Sequence, residues 1–204
     1  MFREIDVDNN RPDNIYRVIS IPPKYVDRTD DPDGHAECII TSDDQKRLFD
    51  CPLFLTERVP QEKPNTIAIK ESATGGLGMF AMRDITYGEL LFAERPLLVD
   101  PGARSSIFDP REGRTLEDHL KNTSFEKEKQ LELALRRMDD NKKAAYMALA
   151  NSMKEYELLS GIQQTNGFGL DLSELTRDGG VELKPQERNM YSVTAKNASR
   201  INHR

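Results

Sequence analysis

Two stretches of the chain combine residue types that suit the binding of a polar ligand. The first is the run 75–81, GGLGMFA, whose glycines let the backbone approach a ligand where a Cβ would intrude. The second is the run 197–204, NASRINHR, in which apolar Ile201 precedes Asn202 and His203, two strongly hydrogen-bonding side chains. Each run alone is also compatible with an ordinary turn or tail. Their chemistry therefore depends on what the fold places beside them.

The glycine-rich run also fits G-x-G-x-x-A, the pattern with which dinucleotide-binding folds hold a pyrophosphate. That pattern needs a helix that begins at the glycines, because the helix N-terminus holds the phosphates. Here the next residues, MRDITYGE, are interrupted by Gly88 within two turns and are followed by extended-type sequence. The spacing favours a strand–turn–strand unit, with a plain hairpin turn as the simplest interpretation.

The composition is that of an acidic chain with enough apolar residues for a core. Of the 204 residues, 37% are hydrophobic and 31% are charged, and the net charge is -6. We expect no direct nucleic-acid binding, because no Lys/Arg-rich face stands out. No secretory signal or apolar run of about 18 residues is present, so we expect no membrane span and an intracellular location, nucleus or cytoplasm. Cys38 and Cys51 fit neither a disulfide framework nor a zinc spacing, so no metal site is predicted.

The composition and patterning of the sequence change near residue 65. Residues 1–65 are rich in Asp, Pro and Asn, which predicts a largely irregular acidic extension lying on the domain, with a helical turn around 42–49. Residues 66–103 predict a meander of small strands. Residues 104–160 predict a helical insert, and 161–204 return to glycine-rich and extended-type sequence.

Two amphipathic helices are predicted within the insert. The first follows a capping box at 123–126, TSFE, and Asp140 can cap the second. Their apolar stripes are Leu131, Leu135 and Met138, and then Tyr146, Leu149 and Met153. Core packing explains such stripes better than a ligand site does.

Three runs, taken in order, resemble SET domains, the fold of protein-lysine methyltransferases. The run 70–99 resembles the N-terminal half, and 161–172, GIQQTNGFGLDL, resembles the segment after the helical insert of that family. The run 199–203, SRINH, resembles the start of its signature. The spacing is most similar to the SMYD-like group common in fungi. The resemblance implies an α+β fold: an incomplete SET domain at 66–204, with small β-meander sheets and a helical insert.

The resemblance also implies S-adenosylmethionine as the cofactor and a protein substrate, a histone or another lysine-bearing protein. The residues that match family cofactor contacts are Gly76, Leu77, Gly78, Asn166, Asn202 and His203. Phe168 matches a position near the substrate-lysine channel. Two alternatives stay open, because Asn166 can instead shape a turn and Phe168 can instead pack in the core.

The chain departs from the family at Arg204, which stands where the signature has Ser. The family's catalytic tyrosine would lie beyond Arg204, so no catalytic residue is assigned. Tyr146, Tyr156 and Tyr191 do not occupy its position. We therefore expect a fragment, either an incomplete gene model or a degenerate protein, that is inactive and binds the cofactor weakly at most. The alternative is a non-enzymatic partner-binding protein with half a SET fold. The sequence does not indicate the oligomeric state.

Overall fold

The computed structural model describes residues 16–24, 34–50, 59–60, 63–73, 75–102, 113, 115–172 and 190–201. The strands are β1 Tyr16–Ile21, β2 Ala36–Thr41, β3 Ile67–Glu71, β4 Leu77–Ala81, β5 Leu98–Asp100, β6 Gly167–Asp171 and β7 Met190–Thr194. The helices are α1 Ser42–Asp50, α2 Leu116–Arg137, α3 Asp140–Met147 and α4 Leu158–Asn166. A 3-10 turn at Ala198–Arg200 follows β7.

The strands form a five-stranded sheet and a separate hairpin. The sheet order is β1-β2-β5-β7-β6, and β3 pairs with β4 alone. β2 and β5 run parallel, and every other neighbouring pair is antiparallel. Because α2, α3 and α4 follow one another in the chain rather than alternating with strands, the fold is α+β, as predicted.

The first 65 residues contribute directly to this sheet. β2 lies between β1 and β5, and all six of its residues are buried. The helical turn predicted around 42–49 is present as α1. The described part of 1–65 therefore differs from the largely irregular extension that we predicted, and a division at residue 65 would separate paired strands. The prediction failed because the apolar runs are short and lie within Asp/Pro-rich sequence. The pairing partner of β2 also lies some sixty positions away, at Leu98 and Val99.

The core lies on both faces of the sheet. Ile39 and Leu98 pack on one face against α2, α3 and α4, whereas Ile40 and Val99 on the opposite face pack near Leu48 of α1. The predicted helical stripes are confirmed at Leu131, Leu135, Met138, Tyr146 and Leu149, all of which are buried. Met153 is the exception, since 37% of its surface is exposed.

Both helix starts differ from the predicted ones. α2 begins at Leu116, where the Thr115 hydroxyl accepts a hydrogen bond from the Asp118 amide, so the predicted capping box at 123–126 lies inside the helix. The cap of α3 is Asp139, which accepts from the Lys142 amide, rather than Asp140. Both chain stretches offer more than one capping pattern, and local sequence does not choose among them.

A buried ion pair joins the sheet to α2. The Glu37 carboxylate, only 2% exposed, accepts hydrogen bonds from Arg137 Nε and Ser20 Oγ, each at 3.0 Å. Lys24 Nζ lies 3.2 Å from the same carboxylate. A buried charge needs such partners, because its hydration is lost. No helix among the described residues combines the length and apolarity that crossing a membrane requires.

Candidate functional site

The glycine-rich run forms the turn between β3 and β4. Gly75 N donates to Ser72 O at 2.9 Å, and Ser72 N donates to Gly76 O at 2.8 Å. Gly75 and Gly76 have φ angles of +99° and +69°, a region that side-chain-bearing residues rarely adopt. A strand follows, not a helix, so the strand–turn–strand prediction is confirmed and the geometry of a dinucleotide site is absent from this described segment.

The outer side of this turn is open. A Cβ at Gly75 or Gly76 would meet no atom of the described residues within 4 Å, and Leu77 is 42% exposed. Gly78, one residue further, is buried. The turn is therefore open to a small polar ligand, although the Gly75 amide and the Gly76 carbonyl already bond to Ser72.

An ion pair fixes the loop that follows β4. Arg83 donates through Nη1 and Nη2 to the Glu89 carboxylate, and its Nη2 also donates to Thr66 Oγ1 at 2.8 Å. The Thr86 amide donates to Glu89 Oε2 at 3.3 Å. The guanidinium lowers the pKa of Glu89 to about 2, so the pair stays charged at neutral pH. The loop is thereby held beside the start of β3.

Asn166 ends α4 and lies buried at the start of β6. Its Nδ2 donates to Ala150 O and to Ile162 O, both at 2.7 Å. Its Oδ1 accepts no hydrogen bond from the described residues, and its main-chain oxygen accepts from Ser199 Oγ at 3.2 Å. Asn166 therefore does shape the local chain, and Oδ1 is the side-chain atom left for a ligand.

The 3-10 turn after β7 is held by three side-chain contacts. The Glu94 carboxylate accepts from Asn197 N at 2.9 and 3.0 Å and from Ala198 N at 2.6 Å. Ser199 Oγ donates to the Asn166 carbonyl, and Arg200 Nη2 donates to Ala148 O at 2.9 Å. β4 also lies against this turn.

The structure thus brings together three of the predicted segments. The glycine turn leads into β4, β4 contacts the turn Ala198–Arg200, and that turn bonds to Asn166. Phe168 lies on β6, partly buried and paired with Val193. Asn202 and His203 lie outside the described residues. Glu94 was missed by sequence reasoning, because its partners lie more than a hundred positions away and no local pattern marks it.

A second polar cluster lies under the end of the sheet, between β5, β7, α2 and α4. Lys127 Nζ donates to Gln163 Oε1 at 2.8 Å, and Gln163 Nε2 donates to Ser192 Oγ at 2.6 Å. Asp100 is 1% exposed, and its Oδ2, like Thr194 Oγ1, is buried without a hydrogen-bond partner in the described part of the chain. Burial raises the pKa of Asp100 to about 6 despite the nearby Lys127. Sequence reasoning did not find this cluster.

Two glycines allow close packing in the run 161–172. A Cβ at Gly161 would lie 2.7 Å from Asn151 Oδ1 and 2.8 Å from Met153 O. A Cβ at Gly167 would lie 2.3 Å from Ser192 Oγ. The chain therefore passes close to other segments at both positions.

Two of the three tyrosines considered are committed to internal hydrogen bonds. Tyr146 Oη donates to Leu159 O at 3.0 Å, and Tyr191 Oη donates to Asp44 Oδ2. Burial raises the pKa of both phenols, so both remain protonated. Cys38 is a buried cysteine outside any disulfide, and burial raises the pKa of its thiol. No group of three His, Cys, Asp or Glu side chains in the described ranges could hold a metal ion.

The α+β fold and this site can be set beside known proteins. Over 44 residues the chain is 52% identical to SET domain-containing protein SmydA-8, isoform A, of Drosophila melanogaster. The match covers 22% of this chain and spans only 9% of the length of that relative. No protein-family model matches the chain, and no solved structure matches it. The similarity supports a relationship to SET-domain proteins, while the fungal-type subgroup stays a prediction.

Proposed function

We propose that this chain carries the cofactor-binding part of a SET-type protein-lysine methyltransferase. S-adenosylmethionine would lie between the backbone of 76–78 and the side chains of Asn166, Asn202 and His203. The observation that supports the proposal is the bond from Ser199 to Asn166 in a turn that also lies against β4. Two segments with ligand-type chemistry that are far apart in sequence are thereby neighbours in space.

The chemistry of these groups suits the amino-acid end of such a cofactor. That end carries a carboxylate and an ammonium group, so it needs hydrogen-bond donors and acceptors side by side. The Gly76 amide and the backbone of exposed Leu77 offer both kinds, whereas the Gly76 carbonyl already accepts from Ser72 N. Asn166 Oδ1 is an unoccupied acceptor among the described contacts. Gly76 keeps the approach open, because no Cβ projects there.

Phe168 is proposed to contribute to the path of the substrate lysine. When bound, the cofactor supplies an electrophilic methyl carbon on a sulfonium, which only a neutral amine can attack. A free lysine has a pKa of about 10.4, so most of it is charged at pH 7. An apolar, aromatic channel that excludes water disfavours the charged form, because the ammonium loses its hydration there. Phe168 is partly buried on β6, two residues beyond Asn166.

Calorimetric titration of the folded chain with S-adenosylmethionine tests this proposal. We expect weak binding that Asn202→Ala reduces at least about tenfold, as loss of a hydrogen bond to the cofactor would. Asn122→Ala is the matched control, because Asn122 is exposed on α2, and it should leave the affinity unchanged. Absence of binding heat from wild-type chain that unfolds cooperatively on heating would overturn the proposal.

A non-enzymatic interaction protein is the second candidate. It is favoured by a group of exposed apolar side chains on β4 and the following loop: Leu77, Phe80, Met82, Ile85, Tyr87, Leu90 and Leu91. Such a concentration is typical of interaction surfaces. Tyr87→Ser with Leu90→Ser should then reduce protein association without lowering the melting temperature, in a chain that binds no S-adenosylmethionine. Cofactor binding together with unchanged association would count against this candidate.

A further inference from the structure

Glu94 connects the two chain segments that meet at the candidate site. It lies in the stretch between β4 and β5, and its carboxylate accepts from the amides of Asn197 and Ala198 at the start of the 3-10 turn. We propose that Glu94 is a positioning residue, which holds the turn Ala198–Arg200 against β4 and Asn166 so that the cofactor site is assembled. This inference rests on the proposed function.

The turn has no cap of its own. Asn197 occupies the N-cap position, but its side chain makes no capping hydrogen bond. Glu94 supplies acceptors in its place from across the fold, and a charged acceptor makes a stronger bond to an amide than a neutral one does. Both oxygens of the Glu94 carboxylate accept from Asn197 N, at 2.9 and 3.0 Å, and Oε1 also accepts from Ala198 N at 2.6 Å.

The remaining contacts of the turn are less able to fix it. The bond from Ser199 Oγ to Asn166 O is a neutral one at 3.2 Å, and the bond from Arg200 to Ala148 O lies at an exposed surface. None of the three turn residues is buried, and neither core cluster includes them. Apolar packing therefore contributes little here, and the direction of the turn depends mainly on Glu94.

This arrangement separates a positioning role from a general stabilising role. Loss of the Glu94 bonds should loosen the turn while the core around the sheet remains folded, because the core residues make none of these bonds. Glu128 provides the matched control. Its carboxylate also accepts from two successive amides, Leu159 N and Ser160 N, but at the start of α4.

The experiment compares Glu94→Gln with Glu128→Gln in the full chain by amide hydrogen exchange and by calorimetry with S-adenosylmethionine. Glu94→Gln keeps the shape of the side chain but loses the charge and one acceptor. We expect exchange at Asn197 and Ala198 to rise about tenfold in Glu94→Gln alone, with a comparable loss of affinity. Glu94→Asp keeps the charge, so its amide exchange and its affinity should both lie closer to those of wild type. If Glu94→Gln does not fold, Glu94→Asp is compared with Glu128→Gln instead.

Unchanged exchange at Asn197 and Ala198 in Glu94→Gln would overturn the inference. Equal losses of affinity in the Glu94 and Glu128 variants would also overturn it, because they would indicate general destabilisation. If the wild-type chain binds no S-adenosylmethionine, the proposed function fails by itself. The exchange comparison then still decides whether Glu94 holds the turn, so the two failures remain distinct.

Discussion

The hydroxyl of Ser199 donates a hydrogen bond to the main-chain oxygen of Asn166 at 3.2 Å, across 33 positions of sequence. The bond joins the turn after β7 to the junction between α4 and β6. It is the contact through which two of the predicted ligand-binding segments become neighbours. Because the bond uses the main chain of Asn166, the side chain of Asn166 is left to other partners.

Substitution of Asn166 should reduce stability even without a cofactor. In the wild-type chain Asn166 Nδ2 donates to Ala150 O and to Ile162 O, both at 2.7 Å. Asn166→Asp replaces this donor with a carboxylate oxygen, which can only accept. We expect a loss of about 2 kcal/mol in the free energy of unfolding, because a carboxylate cannot donate to the part-buried bond with Ala150 O or to the buried bond with Ile162 O. Urea unfolding measures it, with exposed Asn122→Asp as a control that should stay within about 0.5 kcal/mol. Equal stability of the two variants would contradict a structural role for Nδ2.

Gly167→Ala should destabilise the fold by overpacking. The added Cβ would lie 2.3 Å from Ser192 Oγ and 2.8 Å from the main-chain oxygen of Gln163, whereas the φ angle of -78° suits alanine. We expect a cost of about 1–3 kcal/mol in thermal or urea unfolding. Gly169→Ala is the control, since its nearest contact is an ordinary 3.5 Å to Met190 Cε.

A second substitution sharpens this test of close packing. Adding Ser192→Ala to Gly167→Ala removes the closest clash but leaves the main-chain oxygen of Gln163 in place. Part of the lost stability should therefore return, and part should not. If Gly167→Ala alone proves as stable as Gly169→Ala, the close approach of α4 and β7 to β6 is wrong.

The buried Asp100 should make stability fall as the pH rises. Its pKa is raised from 3.8 to about 6, so the folded state favours the protonated form. Below about pH 4 the group is protonated in both states and costs nothing, and between about pH 4 and 6 stability is progressively lost, by about 3 kcal/mol in total. The groups facing it are Lys127, Gln163, Tyr146 and the Gly102 amide.

Asp100→Asn isolates this contribution from the other titrating groups. The free energy of unfolding of Asp100→Asn minus that of wild type should become more positive as the pH rises from about 4 to about 7, because only the wild type loses stability through this group. Urea unfolding at several pH values measures it. Parallel curves for the two proteins would show that Asp100 is not held in its protonated form.

Thr115→Ala should cost about 1 kcal/mol, because it removes the side-chain acceptor at the start of α2. Thr123→Ala should be close to neutral, since Thr123 lies inside the helix and its hydroxyl bonds back to His119 O. Circular dichroism during thermal unfolding compares the two. The reverse order of effects would support the capping box at 123–126 as the true start.

Local sequence was sufficient for α1, α2, α3 and the glycine turn, whereas α4 lies mostly where glycine-rich and extended-type sequence was predicted. The stripes at Leu131, Leu135 and Tyr146 follow the helical period, and that period survives because one helix face is buried. Gly75 and Gly76 mark a turn because only glycine adopts their φ angles cheaply. The start of α2 was mislocated, since two capping patterns lie eight residues apart in the same helical sequence.

The strands and the second polar cluster needed distant partners. β2 is a central strand only because β1 and β5 pair on either side of it, and its own six residues do not reveal that. Asp100 has a raised pKa only because α2 and α4 cover it. Neither feature has a period or a motif that sequence reasoning could use.

By itself the sequence determined the local conformations: the two helical stripes, the strand–turn–strand unit and the residue types of three ligand-suited segments. These follow from backbone sterics and periodicity, which act over a few residues. Only the tertiary structure decided that β4, Asn166 and the turn Ala198–Arg200 meet, and that Glu94 holds them. Such contacts join residues from 33 to 104 positions apart, and they form only when the core between them is packed.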